Sequence, residues 1–579
     1  MGDYQIKKQA KVYDVVIVGS GAGGGMAANV LSASGLEVLV LEAGPHYDSA
    51  QGDMLKWNYQ SPRRGAAGKY KNFGDYDAAW GGWEIEGEPY TKKGNTSFDW
   101  FRARMLGGRT NHWGRISLRF GPNDFKRHSI DGLGDDWPIG YDDVKPYYDR
   151  VDQMIGIFGS KEGIYNEPDG IFMPPPKPRA YELLIKKSAE KRGVKIIPSR
   201  LSILTKPLGD RPACHFCSQC GRGCATYSNF SSPGVLLRPA LKSGKLTVAT
   251  GAMAREVITD ETGKAVGISY VDTTTLQEYQ VNGKVIVLAA SACETARLLL
   301  NSKSSRNPNG LSNSSGVVGK YLHDSTGSGA SAFIPAMMDF PRYNEDGVGG
   351  MHLYSPWWVD NKKLDFPRGY HIEYGGGMGM PGYGFGGGIE ARNGKFPDKS
   401  GAMRPKGGGG YGKALKDDYR RFYGANVGMS GRGESVPFET NYCEIDPTVV
   451  DKFGIPVLRF NYQWSDHEIK QAKHMQETFS QIIDGMGGIR NEPMPTAAEN
   501  WGLNDPGRII HEVGTVRMGN DPKKSVLNKM CQSHEVKNLF VTDGGPFVSQ
   551  ADKNPTWTIL ALSLRTSEYI IDQLKKQNI

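Results

Sequence analysis

Between Val12 and Glu42 a strand signal, a glycine turn, a helix signal, a second strand signal and an acid follow one another in a single register. Few folds accept that order. Val12 to Val18 (V-Y-D-V-V-I-V) is a β-branched run suited to a parallel strand buried on both faces. It leads directly into G-S-G-A-G-G, in which Gly19, Gly21 and Gly24 satisfy G-x-G-x-x-G. Small residues then follow in a helical pattern to Ala33, a second strand is predicted over 37–41, and Glu42 stands 23 residues after Gly19. Glycines let the backbone approach a pyrophosphate, the helix N-terminus faces its negative charge, and the acid reaches ribose hydroxyls. The segment predicts a dinucleotide-binding βαβ unit.

Four of the seven cysteines fall within eleven residues, at Cys214, Cys217, Cys220 and Cys224. The spacing C-x2-C-x2-C-x3-C is that of the cluster-binding run of bacterial ferredoxins. Gly221 and Gly223 give the backbone freedom to wrap around such a cluster. Ala225 stands where a proline normally follows. A structural zinc site, with His215 replacing one thiolate, and a pair of disulfides are the other readings. Zinc sites usually set two C-x2-C knuckles apart, and cysteines three apart rarely pair without strain. An iron–sulfur cluster is therefore expected, with three-iron (3Fe-4S) and four-iron (4Fe-4S) forms both open. Cys293, Cys443 and Cys531 are scattered and are read as buried or incidental.

At 579 residues the chain can bury a large core in two or more domains. Charged residues make up 23% and aromatics 10%, an ordinary globular composition. The net charge of +8 comes without a long basic run, so no nucleic-acid partner is expected. No stretch reaches 18 consecutive apolar residues, so no transmembrane segment is expected. The N-terminal MGDYQIKKQAKVYD lacks the apolar centre of a secretory signal. Many of the 76 glycines lie in 369–390 and 404–413, where interleaved aromatics favour tight loops or closely approached strands over flexible linkers.

The stretch L-E-A-G-P after the second strand resembles flavoproteins more than nicotinamide enzymes, and four further segments widen that likeness. They are R-M-L-G-G-R-T-N-H-W-G-R (104–115), V-I-V-L-A-A-S-A-C-E-T-A-R-L-L-L-N-S (285–302), H-E-V-G-T-V-R-M-G (511–519) and L-F-V-T-D-G-G-P-F-V-S-Q-A-D-K-N-P-T-W-T-I-L-A-L (539–562). In chain order these resemble the glucose–methanol–choline (GMC) flavin oxidoreductases over nearly the whole chain. With the cysteine run, the likeness narrows to iron–sulfur-containing bacterial sugar dehydrogenase catalytic subunits, such as the glucoside 3-dehydrogenases.

The resemblance implies an α/β (α+β two-domain) fold. A discontinuous Rossmann-like FAD-binding domain would be built from 12–170, 234–330 and 508–579. A cluster insertion would occupy 205–232, and a substrate domain on an antiparallel sheet would occupy 331–507. Strand-like runs such as Y-C-E-I-D and V-L-R-F-N-Y-Q-W are assigned to that sheet, as the roof of the active site. Trp, Tyr and Gly in 350–390 would suit stacking on a sugar ring or plain packing equally.

The resemblance also implies residue roles. His511 would be the catalytic histidine and Asn554 its partner. Asp543 would lie near the ribityl and phosphate groups of FAD. Asn554, Pro555 and Thr556 would lie by the pyrimidine side of the ring. Gly107, Gly108, Asn111 and His112 would line the opposite edge, with His112 a candidate for covalent attachment. His323 and Asp324 match a segment of mainly structural importance. The remaining histidines, among them His46, His128, His352, His371 and His467, are read as surface or core residues.

Those residue types suit the chemistry on their own terms. Oxidising an alcohol carbon needs a base for the hydroxyl proton, and a neutral imidazole with an ordinary pKa of about 6.5 is well suited. An amide N–H polarises the same oxygen, and the flavin takes the hydride. The resemblance, and not the residues themselves, implies oxidation of a secondary hydroxyl at C3 of glucosides or disaccharides. A gluconate 2-dehydrogenase, a glucose 1-dehydrogenase or a flavin sugar oxidase with a structural metal site are the alternatives. The resemblance further implies a small subunit bearing a twin-arginine signal, a cytochrome c or other haem acceptor, and a periplasmic location reached with that partner, with a cytoplasmic one as the alternative.

Overall fold

The computed structural model describes residues 7–51, 81–217, 220–221, 223–339, 347–356, 363–376, 395–397, 401–403 and 412–579. Most of the two glycine-rich stretches, and Trp357, Trp358 and Tyr383 among the aromatics proposed for sugar stacking, lie outside those residues.

Two sheets define the architecture. In the first, five strands run parallel in the order Leu246–Thr250, Val38–Glu42, Lys7–Val18, Glu278–Leu288 and Leu539–Val541. An antiparallel ribbon, Ala252–Thr259 with Ala265–Asp272, continues from the far end of Glu278–Leu288. The parallel strands read as unbroken apolar runs because both faces are covered. Val16, Val18, Leu39, Leu41, Ile286 and Leu288 point into one core. Their neighbours Val15, Ile17, Val38, Val40, Val285 and Val287 point into the other, with Ala27, Ala28 and Leu31 of the Ala22–Ala33 helix. Each fully buried aliphatic side chain contributes about 1.5–3 kcal/mol.

The second sheet is antiparallel, in the order Ile489–Arg490, Thr326–Phe333, Asn426–Gly433, Tyr370–Gly376, Leu353–Ser355 and Ile197–Pro198. Its side chains point alternately to two faces. Tyr370, Ile372, Tyr374, Val427 and Met429 face the helices Asp466–Gly485 and Ala180–Glu190. The opposite face carries His371, Glu373 and Arg432 toward the first sheet.

One expectation is corrected. Tyr442–Val450 and Pro456–Asn461 do pair antiparallel, but in a separate three-stranded sheet with Thr91–Lys92. Their apolar side chains Cys443, Leu458 and Phe460 bury into the core of the parallel sheet, so burial places this hairpin away from the roof.

Candidate functional site

A cavity of about 450 Å³ runs from the glycine turn to the antiparallel sheet. At the turn, Gly19 sits at φ +94°, and a Cβ there would fall 2.3 Å from the Ala289 carbonyl oxygen. Gly24 approaches the Gly19 backbone so closely that a Cβ would fall 1.9 Å from its oxygen. Gly21 is different, because a Cβ there would meet nothing within 4 Å. Gly19 and Gly21 line the cavity, while Gly24 lets the helix close on the turn. Glu42 is buried at the end of its strand, where its carboxylate accepts from Ser20 Oγ and, at 2.9 Å, from the Gly44 N–H.

The flavin-loop segment packs over this turn. Gly107 is in the left-handed region at φ +89°, tight against Pro233, and its N–H donates to Ser20 Oγ at 2.8 Å. Gly108 and His112 line the cavity. Asn111 stands behind it, its amide donating to the carbonyls of Leu106 and Gly108 at 2.9 and 3.1 Å. Two arginines just upstream carry a role that motif reading missed. Arg104 is paired with Glu88 and Glu294. Arg102 lines the cavity with its Nε and Nη2 buried and unpartnered, and burial, with Arg104 alongside, lowers its guanidinium to about 10. An unsatisfied buried cation beside a glycine turn suits an anionic ligand. These residues fit the pyrophosphate and ribose of FAD. A cation five residues before Gly107 was the signal available in the sequence.

Asp543 lies across the cavity from the loop. Its Oδ1 accepts from Gly545 N at 2.7 Å, and its Oδ2 accepts from Ser291 N at 3.1 Å and from Thr295 Oγ1. Burial raises its carboxyl to about 6. Asn554, Pro555 and Thr556 open the Thr556–Lys575 helix, so that helix also presents its N-terminus to the cavity.

His511 and Asn554 meet at the sheet end, with His511 Nε2 3.3 Å from Asn554 Nδ2. Ile510 holds φ +63°, costly for a β-branched residue, and the Asp324 carboxylate fixes the segment by accepting from the N–H groups of His511 and Gly507, each at 2.9 Å. Burial, with Glu512 nearby, raises Asp324 to about 7. Burial lowers His511 to about 3, with Arg432 adding to the shift and Glu373 opposing it, so the imidazole is neutral at ordinary pH.

Glu373 and Arg432 enter the cavity from adjacent strands. Glu373 Oε1 accepts from Asn554 Nδ2 at 3.4 Å and lies 3.2 Å from His371 Nε2, while Oε2 is 3.6 Å from Arg432 Nη2. Burial pushes the Glu373 carboxyl up, but Arg432 and His371 outweigh it and hold it down at about 2. His371, read as an ordinary core or surface residue, is buried and bonded to the Asp552 carbonyl under this carboxylate. Beneath Asn554, the fully buried Lys553 ammonium sits 2.6 Å from Asp552, 3.1 Å from Asp124 and 3.8 Å from Glu167. This network ties the catalytic turn to the protein interior.

The cysteine loop adjoins the same cavity. His112 is lowered to about 3 by burial and by Arg115, and it hydrogen-bonds the backbone of Gly221 within the run. The Cys214 thiol is pushed up to about 12 by burial, with Cys220, Cys217 and Cys224 each raising it further. Phe216 N–H donates to Cys214 Sγ at 3.4 Å. The four sulfurs therefore share one neighbourhood. Among the described residues, however, no group of three or more His, Cys, Asp or Glu is placed to hold a metal ion. No described helix is long and apolar enough to cross a membrane.

Comparison with known proteins agrees with this geometry. Residues 13–326 match the N-terminal and residues 437–563 the C-terminal GMC oxidoreductase family model. The 2-methyl-1,2-propanediol dehydrogenase of Mycolicibacterium austroafricanum is 30% identical, the match covering 96% of this chain and 95% of that protein. The fructose dehydrogenase large subunit of Gluconobacter japonicus is 27% identical over 97% and 98% of the two chains. The crystal structure of pyridoxine 4-oxidase from Mesorbium loti shares the fold at a TM-score of 0.60 and 16% identity, covering 96% of this chain and 99% of that one. The glycine cradle, the His511–Asn554 pair and these matches along both halves agree: the chain belongs to the GMC oxidoreductase family, whose cofactor is FAD.

Proposed function

We propose that the protein is an FAD-dependent sugar dehydrogenase that oxidises a secondary ring hydroxyl, at C3 of a glucoside or disaccharide. The observation that carries this reading is the polar roof. Glu373 and Arg432 stand beside His511 and Asn554, which gives hydrogen-bonding groups for the hydroxyls flanking the one that reacts. An aliphatic monoalcohol would offer that pair no flanking hydroxyls to bond. His511, neutral through burial, takes the hydroxyl proton. The Asn554 N–H that faces His511 Nε2 passes to the same oxygen when substrate enters, as charge develops on it. The glycine cradle would hold FAD, which would supply the acceptor for the hydride lost from carbon as the alcohol becomes a ketone. A histidine in this role contributes about 10²–10⁴-fold.

Cys214, Cys217, Cys220 and Cys224 would hold an iron–sulfur cluster, which supplies one-electron transfer. A haem-type acceptor rather than oxygen follows from that. The fructose dehydrogenase relative is named as a large subunit, which supports a partner subunit here, and a twin-arginine signal on that partner would carry the folded complex to the periplasm.

The test is a dye-linked assay across glucosides, gluconate, glucose, fructose and a 1,2-diol, with the new carbonyl located by carbon NMR. A 3-keto glycoside with little peroxide supports the reading. A 2-keto acid, a lactone, a diol product or stoichiometric peroxide replaces it with the corresponding alternative. Iron and acid-labile sulfide in the purified holoenzyme support the cluster, and zinc without sulfide rejects it.

A further inference from the structure

The hydrogen bonds through His511 have one self-consistent direction. Glu373, ionised beside Arg432, can only accept, so the Asn554 atom 3.4 Å from its Oε1 is the amide nitrogen. That nitrogen also lies 3.3 Å from His511 Nε2. A donor facing Nε2 requires a lone pair there, which puts the proton of the neutral ring on Nδ1. Nδ1 lies 3.1 Å from Ser325 Oγ, so Ser325 accepts from it and must send its own O–H elsewhere. The remaining partner is the Gln550 amide, whose Nε2 is placed 2.6 Å from Ser325 Oγ while its Oε1 is buried without a hydrogen-bond partner. That separation suits O–H···O better than N–H···O. A half-turn of the Gln550 amide exchanges its oxygen and nitrogen, and the direction of the chain selects the oxygen as the group facing Ser325. Both residues are shut away from water, Ser325 at 1% and Gln550 at 0% exposure, so neither hydroxyl nor amide can turn to solvent.

We infer that Ser325 and Gln550 are positioning residues that lock the proton of His511 on Nδ1, leaving Nε2 as the atom that takes the substrate's hydroxyl proton. This rests on the reading of His511 as the base. The Asp324 contact fixes only the main chain of His511, so the ring's tautomer depends on this pair. When Nε2 takes the proton, the ring becomes an imidazolium, Nδ1–H stays on Ser325, and the Glu373 carboxylate faces the new charge. A neutral ring with its proton on Nε2 would offer a donor to Asn554 and no base to the substrate.

Two measurements on the holoenzyme test the pair. Nitrogen NMR of ¹⁵N-histidine protein, with His511 assigned by its loss in His511→Ala, should show Nδ1 protonated and Nε2 bare. In stopped flow, Ser325→Ala should reduce flavin roughly 10–100-fold more slowly, the loss expected for a hydrogen bond to a group that becomes charged, with sugar affinity within about twofold. Ser325→Thr, which keeps the hydroxyl, should restore most of the rate. A protonated Nε2, full speed in Ser325→Ala, or equal slowness in the Ala and Thr variants would overturn the inference. His511→Ala run in parallel separates the two levels. If it reduces flavin at the normal rate, the base assignment itself is wrong. If it is inactive while Ser325→Ala runs at full speed, only the tautomer lock fails. The NMR readout stands even where a variant does not fold.

Discussion

The two ends of the cavity are built from different materials. The nucleotide end is shaped by backbone: Gly19 and Gly24 admit no Cβ, and helix N-termini supply the polarity. The catalytic end is shaped by side chains from distant segments, with Ser325, Glu373, Arg432, His511, Gln550 and Asn554 converging from the roof and the region below it. A backbone-built site tolerates little change of shape. A side-chain-built site tolerates changes of shape but not of charge.

The contrast can be broken most sharply at the cradle. Gly24→Ala would drive a methyl group to 1.9 Å from the Gly19 oxygen, against main chain that cannot give way. The expected cost is roughly 3 kcal/mol, with FAD lost from the purified protein. Thermal melts and flavin content check it, and a variant with full flavin and an unchanged melting temperature would remove the distinction. At the roof the expected effect is smaller and of another kind. Glu373→Gln keeps the shape and removes the charge, so flavin content should hold while KM for the sugar rises about tenfold or more, the loss of a charge-assisted hydrogen bond. Steady-state kinetics with a dye acceptor measure it.

The smallest expected effect is a flat line. His511 is held neutral with a pKa of about 3, and in the proposed reaction its neutral form is the base. Protonation of the imidazole should therefore add no acid limb to flavin reduction between pH 8 and 5, where Asp324, at about 7, and Asp543, at about 6, are the groups of the site that titrate. A nitrogen NMR titration of His511 with its midpoint near 6.5, the ordinary histidine value, would mean that the ring is solvated.

The same contrast explains what could be read from residues alone. Strand, turn, helix and acid at 12–42 are local, and their spacing is fixed by backbone geometry, so the cradle was legible down to Glu42. His511 and Asn554 were legible through their surrounding segments. Arg102 was passed over because the sequence shows two arginines before the glycine pair, Arg102 and Arg104, and not that only Arg104 has carboxylate partners. Glu373 was hidden differently. The alternation in Y-H-I-E-Y puts His371 and Glu373 on one face, but only strand pairing with Arg432 shows that this face looks at His511. The Tyr442–Val450 hairpin was misplaced because alternation reveals which side of a strand is buried, not which core buries it. The cysteine spacing suggested four donors, but among the described residues no group of three or more His, Cys, Asp or Glu is placed to hold a metal ion.

The strand order of the parallel sheet has a consequence for how the protein comes into being. Leu539–Val541 lies beside Glu278–Leu288, and the Thr542 carbonyl presses on Gly23, in the helix that follows the turn first made near residue 20. On the ribosome, more than five hundred residues must emerge after that turn before its floor exists. The cradle closes only once residues 539–542 have joined it, so a floor for the cofactor waits on a segment made long after the turn itself.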